Sequence, residues 1–426
     1  MFGLTLDGFP HALAVRLMEQ GRMPNLKALA RQGHFKELHG LCPAVSAVAW
    51  ASFQAGVGPG KFGVYGAIEL RTDLSTFVPE ARQLKSPTIL QRLSDRGKHV
   101  VSLGMPMTYP APKVKGLLVS GFPARKLDER AVSGPEVAGK LRWTPYEIDI
   151  DPASAREGLD KFQSDLLRVA ERRQKAALEL MSSEPWDLFL VHATETYHLN
   201  RLMWHFRDQP DTPRGQFFLD FYSTIDGFVG EVLARLDKKS EFFILSDHGF
   251  CDLKWHVMLN RWLRAKGYLD YQPAADDPSN PYRVVREGSR ALALDSGRIH
   301  LLTRFFWEKG GVADIDYKSL REEIVAGLRE LKHPESGEAA CKRVMTREEA
   351  FSGPHTDRAP DILIEPRDGY EPTGEMGEGG VFEPAQAGGM RTSNGALLLA
   401  SKGLTELAGA ANLTEAGAAL ARRLLG

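Results

Sequence analysis

Two residues with metal-ligand chemistry stand side by side in the stretch FFILSDHGF, residues 242–250. Asp247 and His248 follow a run of apolar residues, which is typical of a buried strand that presents polar side chains at its carboxyl end. Carboxylate and imidazole groups both bind divalent metals. Because two ligands do not hold a metal, the pattern predicts that residues from elsewhere in the chain complete a site here.

A candidate nucleophile lies in the stretch CPAVSAVAWASFQAG, residues 42–56. Ser46 comes shortly after Pro43, at the predicted start of an Ala-rich helix. Unpaired amide groups and the helix dipole favour an anion or an alkoxide at such a position. A serine at the start of a helix is also a common N-cap, so the pattern alone leaves both roles open.

Strand-like runs alternate with helical patterns along the chain, as in FGLTL, HVVSLG, WDLFLVHA and EFFILS. This alternation is typical of βαβ units around a parallel sheet, whose ligands bind beyond the carboxyl ends of the strands. Asp7 ends the first run, Tyr197 follows the third and Asp247 ends the fourth. We therefore expect an α/β fold of three layers (αβα) with a central, mostly parallel sheet and one cleft where three strand ends meet.

The alternation is less regular between about residues 255 and 360, where a strand-like RIHLLTRFFW precedes an amphipathic YKSLREEIVAGLREL. We expect a catalytic core over residues 1–255 and a smaller mixed cap subdomain over residues 256–360. Residues 361–426 contain the strand-like GALLLAS and a helical end, LTEAGAALARRLL, and are predicted to return to the core.

Composition favours small-molecule chemistry. The 54 Lys and Arg residues nearly balance 55 Asp and Glu residues, and no block of like charge predicts a nucleic-acid partner. No apolar run approaches the roughly 20 residues of a membrane span, and the first strand begins too early for a leader segment. The three cysteines have no paired spacing, which favours a reducing compartment. A cytoplasmic protein without a membrane partner is the expectation.

Several motifs together resemble the alkaline phosphatase superfamily and, within it, the type I phosphodiesterase/nucleotide pyrophosphatase family. They occur in that family's order and extend over nearly the whole chain. The motifs are LDGF at 6–9, MPNLKALARQG at 23–33, CPAVSAVAWASFQAGVGPGKFGV at 42–64, PMTYP at 106–110, VSGF at 119–122, SDHGF at 246–250, LNRWLRAKGYL at 259–269 and APDILIEP at 359–366.

The resemblance implies one metal site and its nucleophile. Asp7, Asp247 and His248 match the family's ligands of one metal, and Ser46 matches its Ser or Thr nucleophile, which also contacts that metal. The implied cofactor is one divalent ion. Zinc suits this ligand set best, and manganese, iron or calcium are compatible with it.

The second metal of the family has no matching ligands in this chain. An alignment on Thr196 and Trp204 puts Tyr197 at the family's Asp position and Arg201 at a His position. Arg391 stands at the position of the late His. None of these three side chains is an ordinary divalent-metal ligand.

Charge explains how such a site could still act on a phosphoryl group. A divalent ion with one aspartate contributes about +1, while the two arginines with a neutral tyrosine contribute about +2. We expect Arg201 and Arg391 to form an arginine clamp on anionic oxygens. In a different register, Glu195 and His198 would share a helix face and offer a second ligand pair.

These patterns predict a metal-dependent phosphoesterase, in particular a phosphodiesterase, that acts on a small metabolite through Ser46. Tyr197, His198 and His205 are weak candidates for an acid at the leaving group. A small-molecule phosphate or sulfate ester is the expected partner, and nothing indicates an oligomeric state. The alternatives are a phosphoryl or sulfuryl transferase, a sulfatase-like enzyme on the same site, or an inactive ligand-binding pseudoenzyme.

Overall fold

The computed structural model describes residues 1–134, 139, 146–151, 153–237, 239–272 and 280–426. The strands in this part of the chain are β1 (Phe2–Leu6), β2 (His34–Leu38), β3 (Glu69–Leu70), β4 (Thr76–Phe77), β5 (Val100–Met105), β6 (Gly116–Ser120), β7 (Leu188–Ala193), β8 (Phe242–Ser246), β9 (Gly249–Asp252), β10 (Trp255–Met258), β11 (Ala291–Leu294), β12 (Arg298–Leu301), β13 (Cys341–Thr346), β14 (Ile362–Pro366), β15 (Tyr370–Thr373), β16 (Phe382–Pro384), β17 (Gly389–Thr392) and β18 (Ala396–Ala400).

The α-helices of the described residues are His11–Glu19, Pro24–Gln32, Ser46–Ala55, Pro59–Phe62, Ile89–Asp95, Ser154–Glu157, Leu159–Ser183, Glu195–Met203, Pro213–Arg235, Leu259–Ala265, Tyr317–Arg329, Arg347–Ala350, Thr405–Ala408 and Leu413–Leu425. Two of them carry residues of the site. The nucleophile helix is Ser46–Ala55, and the site helix is Glu195–Met203.

The large sheet has seven strands in the spatial order β2-β18-β8-β1-β7-β5-β6. Neighbouring strands from β8 to β6 are parallel, and only β18 runs against its neighbours β8 and β2. Leu6 at the end of β1 pairs with Ala193 of β7 and with Ser246 of β8. The residues that follow these strand ends therefore meet at one edge of the sheet, as the sequence predicts.

Helices cover both faces of this sheet. One apolar core contains Phe2, Leu4 and Leu6 of β1 and the buried faces of the long helices Leu159–Ser183 and Pro213–Arg235. A second core, on the other face, joins the sheet to the nucleophile helix and to the helix Leu413–Leu425. The predicted three-layer α/β fold with a mostly parallel sheet is confirmed.

A smaller mixed subdomain has its own apolar core. It contains a four-stranded sheet, β11-β12-β14-β13, and a three-stranded sheet, β15-β10-β16, with the helix Tyr317–Arg329 packed on the first. β14 and β15 belong to these small sheets, and the chain re-enters the large sheet at β18. The predicted domain boundaries at 256 and 360 stay predictions.

No helix in the described part of the chain is both long and apolar enough to cross a membrane. The thiol groups of Cys42, Cys251 and Cys341 are free. The cytoplasmic location stays a prediction.

Candidate functional site

The four residues predicted to form the metal site lie together at the carboxyl edge of the large sheet. Ligand atoms of Asp7, Asp247 and His248 all lie within 4.8 Å of one another, and all three side chains are buried. The Ser46 hydroxyl donates a hydrogen bond to Oδ1 of Asp7 at 2.7 Å and lies 3.4 Å from Nε2 of His248. One atom could therefore contact all four side chains.

The electrostatics of this cluster favour a cation. Oδ1 of Asp247 accepts a hydrogen bond from the Gly8 amide, but Oδ2 is buried and has no hydrogen-bond partner among the described residues. Burial and then the neighbouring Asp7 carboxylate raise the pKa of Asp247. Burial also favours a higher pKa for Asp7, but His192 and His248 outweigh it and hold that pKa below its usual value. Two buried carboxylates this close need a positive charge between them.

His248 is oriented as a metal ligand would be. Its Nδ1 donates to the carbonyl oxygen of Gly249 at 2.9 Å, which turns Nε2 toward the carboxylates. Nε2 lies 3.3 Å from Oδ1 of Asp7 and 3.7 Å from Oδ2 of Asp247. Burial lowers the pKa of His248, whereas the two carboxylates raise it by more, so this position attracts positive charge. A backbone bond to the second ring nitrogen is the usual support of a histidine ligand.

Gly8 lets the chain turn sharply after β1. Its φ is +66°, and a Cβ atom there would lie 2.4 Å from the Phe250 ring and 2.6 Å from His248. Only glycine fits this conformation and this close approach. The site helix fixes the turn from the other side, because Asn200 donates to the Gly8 carbonyl oxygen at 2.7 Å. Substitution at Gly8 would thus displace the ligands on both sides.

Ser46 is the first residue of the nucleophile helix. The N-cap is Val45, and no side chain caps this end of the helix. The serine hydroxyl is thus directed to Asp7 rather than to the helix amides. The amides of Ser46 and Ala47 have no acceptor among the described residues and lie beside the cavity that both residues line, whereas the next amide, of Val48, donates to the Val45 carbonyl oxygen. This arrangement can bind an anionic oxygen next to the hydroxyl group.

Arg391 reaches the site on a two-stranded ribbon. β17 pairs with β9, the strand that directly follows the SDHGF motif, and Arg391 is the register partner of Phe250. Its guanidinium carbon lies 5.6 Å from the centroid of the Tyr197 ring, and that ring stands 6.3 Å from the ring of His248. The guanidinium group of Arg391 has no hydrogen-bonded or ion-paired partner among the described residues. Its charge faces the cavity.

Arg201 has a different environment. Its two terminal nitrogens bind the two carboxylate oxygens of Glu371 at 2.8 and 2.7 Å, and one also donates to the Gly389 carbonyl oxygen. Arg201 is not part of the cavity wall. It links the site helix to β15 and to the start of β17, the strand of Arg391.

Glu195 and His198, the alternative ligand pair, each contact another charged side chain. Glu195 forms a buried ion pair with Arg173 at 2.8 Å, and His198 lies 2.8 Å from Asp149. Within the described ranges, Asp7, Asp247 and His248 are the one group of three or more His, Cys, Asp or Glu residues placed to hold an ion. His205 lies on the turn after the site helix, away from the cavity wall.

A cavity of about 950 Å³ opens over the cluster. Its wall combines the site residues with one acidic segment, residues 146–151, and with a basic rim. The wall includes Asp7, Ser46, Tyr197, His198 and Arg391, with Arg125, Lys126, Lys161 and Arg168 further out. The volume lies at the upper end of that of small-molecule sites. Sequence reasoning missed Asp149 and Glu371, because neither belongs to a motif and both partners lie far away in the chain.

Comparison with known proteins identifies the family and the fold. The sequence profile of the type I phosphodiesterase/nucleotide pyrophosphatase family matches residues 1–394. Phosphonoacetate hydrolase from Sinorhizobium meliloti 1021, solved with phosphonoformate, has a similar fold with a TM-score of 0.67 and 16% identity, over 100% of this chain and 95% of that chain. Murine ectonucleotide pyrophosphatase/phosphodiesterase 5 has a similar fold with a TM-score of 0.58 and 12% identity, over 100% of this chain and 95% of that chain.

The human ectonucleotide pyrophosphatase/phosphodiesterase 5 is similar to the same degree, with a TM-score of 0.59 and 12% identity over 100% of this chain and 94% of that chain. No protein with a curated description matches the sequence. The structural similarities show the alkaline phosphatase-like fold, and the profile match confirms the resemblance carried by the motifs. The chain belongs to the type I phosphodiesterase/nucleotide pyrophosphatase family and is a phosphoric ester hydrolase.

Proposed function

We propose that this enzyme is a phosphodiesterase for a small metabolite, with Ser46 as its nucleophile and a single divalent ion as its cofactor. The observation that carries the proposal is the buried Oδ2 of Asp247, which has no hydrogen-bond partner among the described residues, in a cluster whose fourth member is the Ser46 hydroxyl. Asp7, Ser46, Asp247 and His248 would hold the ion. When bound, the ion lowers the pKa of the serine hydroxyl and favours its ionised form.

The chain itself supplies the rest of the nucleophile's environment. Oδ1 of Asp7 accepts the Ser46 hydrogen bond and thereby orients Oγ toward the cavity. Because the pKa of Asp7 is low, this carboxylate is a poor base, and the serine proton is lost to solvent before Oγ attacks phosphorus. The amides at the start of the nucleophile helix face the same space and favour negative charge there. Attack would leave the phosphoryl group on Oγ of Ser46, and water would then hydrolyse that ester.

Arg391 is proposed to replace the second metal of the family as the contact for the non-bridging oxygens. The charges of Arg201 and Glu371 cancel, so Arg391 alone adds about +1, equal to the contribution of a divalent ion with one aspartate. Its planar fork can bind two oxygens of one phosphoryl group. Tyr197, whose ring lies under the guanidinium, holds it over the cavity by a cation–π contact.

Arg201 then acts as a positioning residue. Its ion pair with Glu371 and its bond to Gly389 fix the ribbon that carries Arg391. Burial would raise the pKa of Glu371, but His256 and Arg201 outweigh it and lower this pKa to about 2. The carboxylate is therefore ionised at neutral pH. The arginine clamp predicted from the sequence becomes, in this proposal, one contact arginine and one supporting arginine.

The ligand set is compatible with more than one metal. Two carboxylates, one imidazole nitrogen and one hydroxyl group suit zinc, and they also accommodate manganese, iron or calcium. We propose zinc as the physiological ion. Reconstitution of metal-free protein with each of these ions would rank them by the activity that each restores.

The proposed substrate is a phosphodiester of a small molecule. Arg391, Arg125 and Lys126 on the cavity wall favour an anionic substrate, and the cavity volume leaves room for both arms of a diester. Lys161 and Arg168 are ion-paired with Asp165 on the same wall. Small anionic ligands are bound in two of the similar structures, phosphonoformate in the phosphonoacetate hydrolase and AMP in an inactive variant of murine ectonucleotide pyrophosphatase/phosphodiesterase 5. A sulfate ester or transfer to a second alcohol would use the same site, and analysis of the products formed with added alcohols separates transfer from hydrolysis.

Replacement of Ser46 tests the proposal directly. We expect Ser46→Ala to lose nearly all hydrolysis of a nitrophenyl phosphodiester while it keeps its fold. Ser52→Ala is the matched control, because Ser52 lies on the same helix but donates only to the Val48 carbonyl oxygen, at 2.9 Å. Full activity of Ser46→Ala would refute the assignment of the nucleophile.

A further inference from the structure

His198 occupies the cavity wall with one ring nitrogen anchored and the other available. Nε2 lies 2.8 Å from Oδ1 of Asp149, and a carboxylate can only accept, so Nε2 carries the hydrogen. Nδ1 has no hydrogen-bond partner among the described residues. The side chain is 24% exposed, within the cavity that Ser46 and Asp7 also line. A ligand in the cavity can therefore reach this imidazole.

One buried cation holds both halves of the His198–Asp149 pair in place. Arg173 is 2% exposed and donates to Glu195, in the first turn of the site helix that carries His198. It also donates to the carbonyl oxygen of Ile148 at 2.7 Å, in the segment that carries Asp149. A buried charge lowers stability unless it is fully paired. The hydrogen bonds that pair Arg173 also connect these two segments. The pair is thus a built feature of the wall.

The charges around His198 favour its protonated form. Burial lowers the pKa of the imidazole, but Asp149 first, and then Asp7 and Glu195, raise it by more. The charge of Arg173, on the long helix behind the pair, is matched by Glu195. His198 accordingly has a pKa above the ordinary value and can carry a proton near neutral pH.

The site needs such a proton donor. In the proposed function the site binds one metal ion, beside the nucleophile. No second ion stabilises the oxygen that leaves phosphorus. An alkoxide is a poor leaving group, and a positioned acid typically accelerates its departure by about 10²–10⁴-fold. Tyr197 is engaged below Arg391, and His205 lies outside the wall.

We propose that His198 is the general acid for the leaving oxygen, with Asp149 as its positioning residue; this inference rests on the proposed function. As the bond between phosphorus and the leaving oxygen breaks, its electron pair stays on that oxygen, which takes the proton from Nδ1 of His198. The alcohol leaves neutral, and the phosphoryl group remains on Ser46. In the second step the neutral Nδ1 accepts a proton from the attacking water as the water oxygen bonds to phosphorus, which restores the imidazolium. The bond between phosphorus and Oγ of Ser46 breaks with its electron pair on Oγ, which returns to its ionised form.

A leaving-group series tests this role. The probes are methyl aryl phosphodiesters from p-nitrophenol to unsubstituted phenol, whose pKa is about 10 as in tyrosine. We expect His198→Gln to lose about 10²–10⁴-fold in kcat/KM with the phenyl ester and less than about tenfold with the nitrophenyl ester, because nitrophenolate leaves without a proton. His205→Gln, a histidine outside the cavity wall, should leave both rates unchanged.

Asp149→Asn provides a second, independent readout. The wild-type rate with the phenyl ester should fall as the pH rises through the pKa of His198. In Asp149→Asn the same fall should occur at lower pH, because the main group that raises this pKa is gone. Equal losses across the series, or a pH profile that neither variant changes, would overturn the acid role. A wild-type enzyme that cleaves none of the esters, with its metal bound, would contradict the proposed function and the acid role with it.

Discussion

Asp247→Asn should change the stability of the protein in opposite directions with and without metal. In the metal-free protein, Oδ2 of Asp247 is buried without a hydrogen-bond partner among the described residues, 3.7 Å from Nε2 of His248 and close to the carboxylate of Asp7. Asparagine has nearly the same shape and keeps an oxygen for the Gly8 amide. Its amide nitrogen can donate toward Asp7, so the substitution turns a repulsive contact into an attractive one.

The magnitude follows from the removed charge. An unsatisfied buried polar group costs about 1–3 kcal/mol, so we expect Asp247→Asn to raise the free energy of unfolding by about that amount in the presence of a chelator. The pKa of Asp247 is raised in the folded state, so the wild-type penalty is present above that pKa and disappears as the pH falls through it. At zinc concentrations of 100 times Kd, binding adds about 2.7 kcal/mol to the wild type, and the variant lacks this gain.

The assay is chemical unfolding of both proteins at neutral pH, with chelator and with saturating zinc. Asp226→Asn is the matched control, because Asp226 is equally buried but its carboxylate accepts hydrogen bonds from Asn25 and from the Leu26 amide. This control should be less stable than the wild type under both conditions. The reasoning is refuted if Asp247→Asn is also less stable than the wild type when no metal is present.

Further substitutions distinguish the residue that binds substrate from the residues that hold the site in place. Arg391→Gln should raise KM for a phosphodiester by about 10- to 100-fold with little change in the melting temperature, because a hydrogen bond to a charged group contributes about 1.5–3 kcal/mol. Steady-state kinetics measure KM. An unchanged KM would contradict the contact between Arg391 and the substrate. Arg201→Gln should instead lower stability, because it leaves Glu371 without its main partner, and thermal unfolding would show it. Gly8→Ala should abolish metal binding, measured by calorimetric titration, since φ is +66° there and the new Cβ would lie 2.6 Å from His248.

The positions of Asp7, Asp247 and His248 were predictable because local pattern fixes them. Asp7 follows one short apolar run and Asp247 with His248 another, both typical of buried strands, and parallel strands bring their carboxyl ends to the same edge. The sequence also predicted the nucleophile helix, whose first residue is Ser46. For these residues the local sequence pattern predicts the same position that the long-range contacts of the fold produce.

The partners of the arginines were not predictable, because long-range ion pairs leave no periodic signal. Glu371 stands 170 positions after Arg201, in a short strand of the smaller subdomain. Asp149 lies in the stretch EIDIDP, whose polar and apolar residues alternate as in a strand, but the structure forms no strand at residues 146–151, so this period could not point Asp149 toward His198. The mixed cap was predicted only in outline, since its small sheets pair β10, β15 and β16 across more than a hundred positions.

The amount of metal in the purified protein tests the central claim most directly. The chain should be purified without chelator, and its metal content should be measured by mass spectrometry together with that of Asp247→Asn. One site built from Asp7, Ser46, Asp247 and His248 predicts about one equivalent of a divalent ion in the wild type and close to none in the variant. Two equivalents in the wild type, or one equivalent that survives in Asp247→Asn, would contradict the single-ion site.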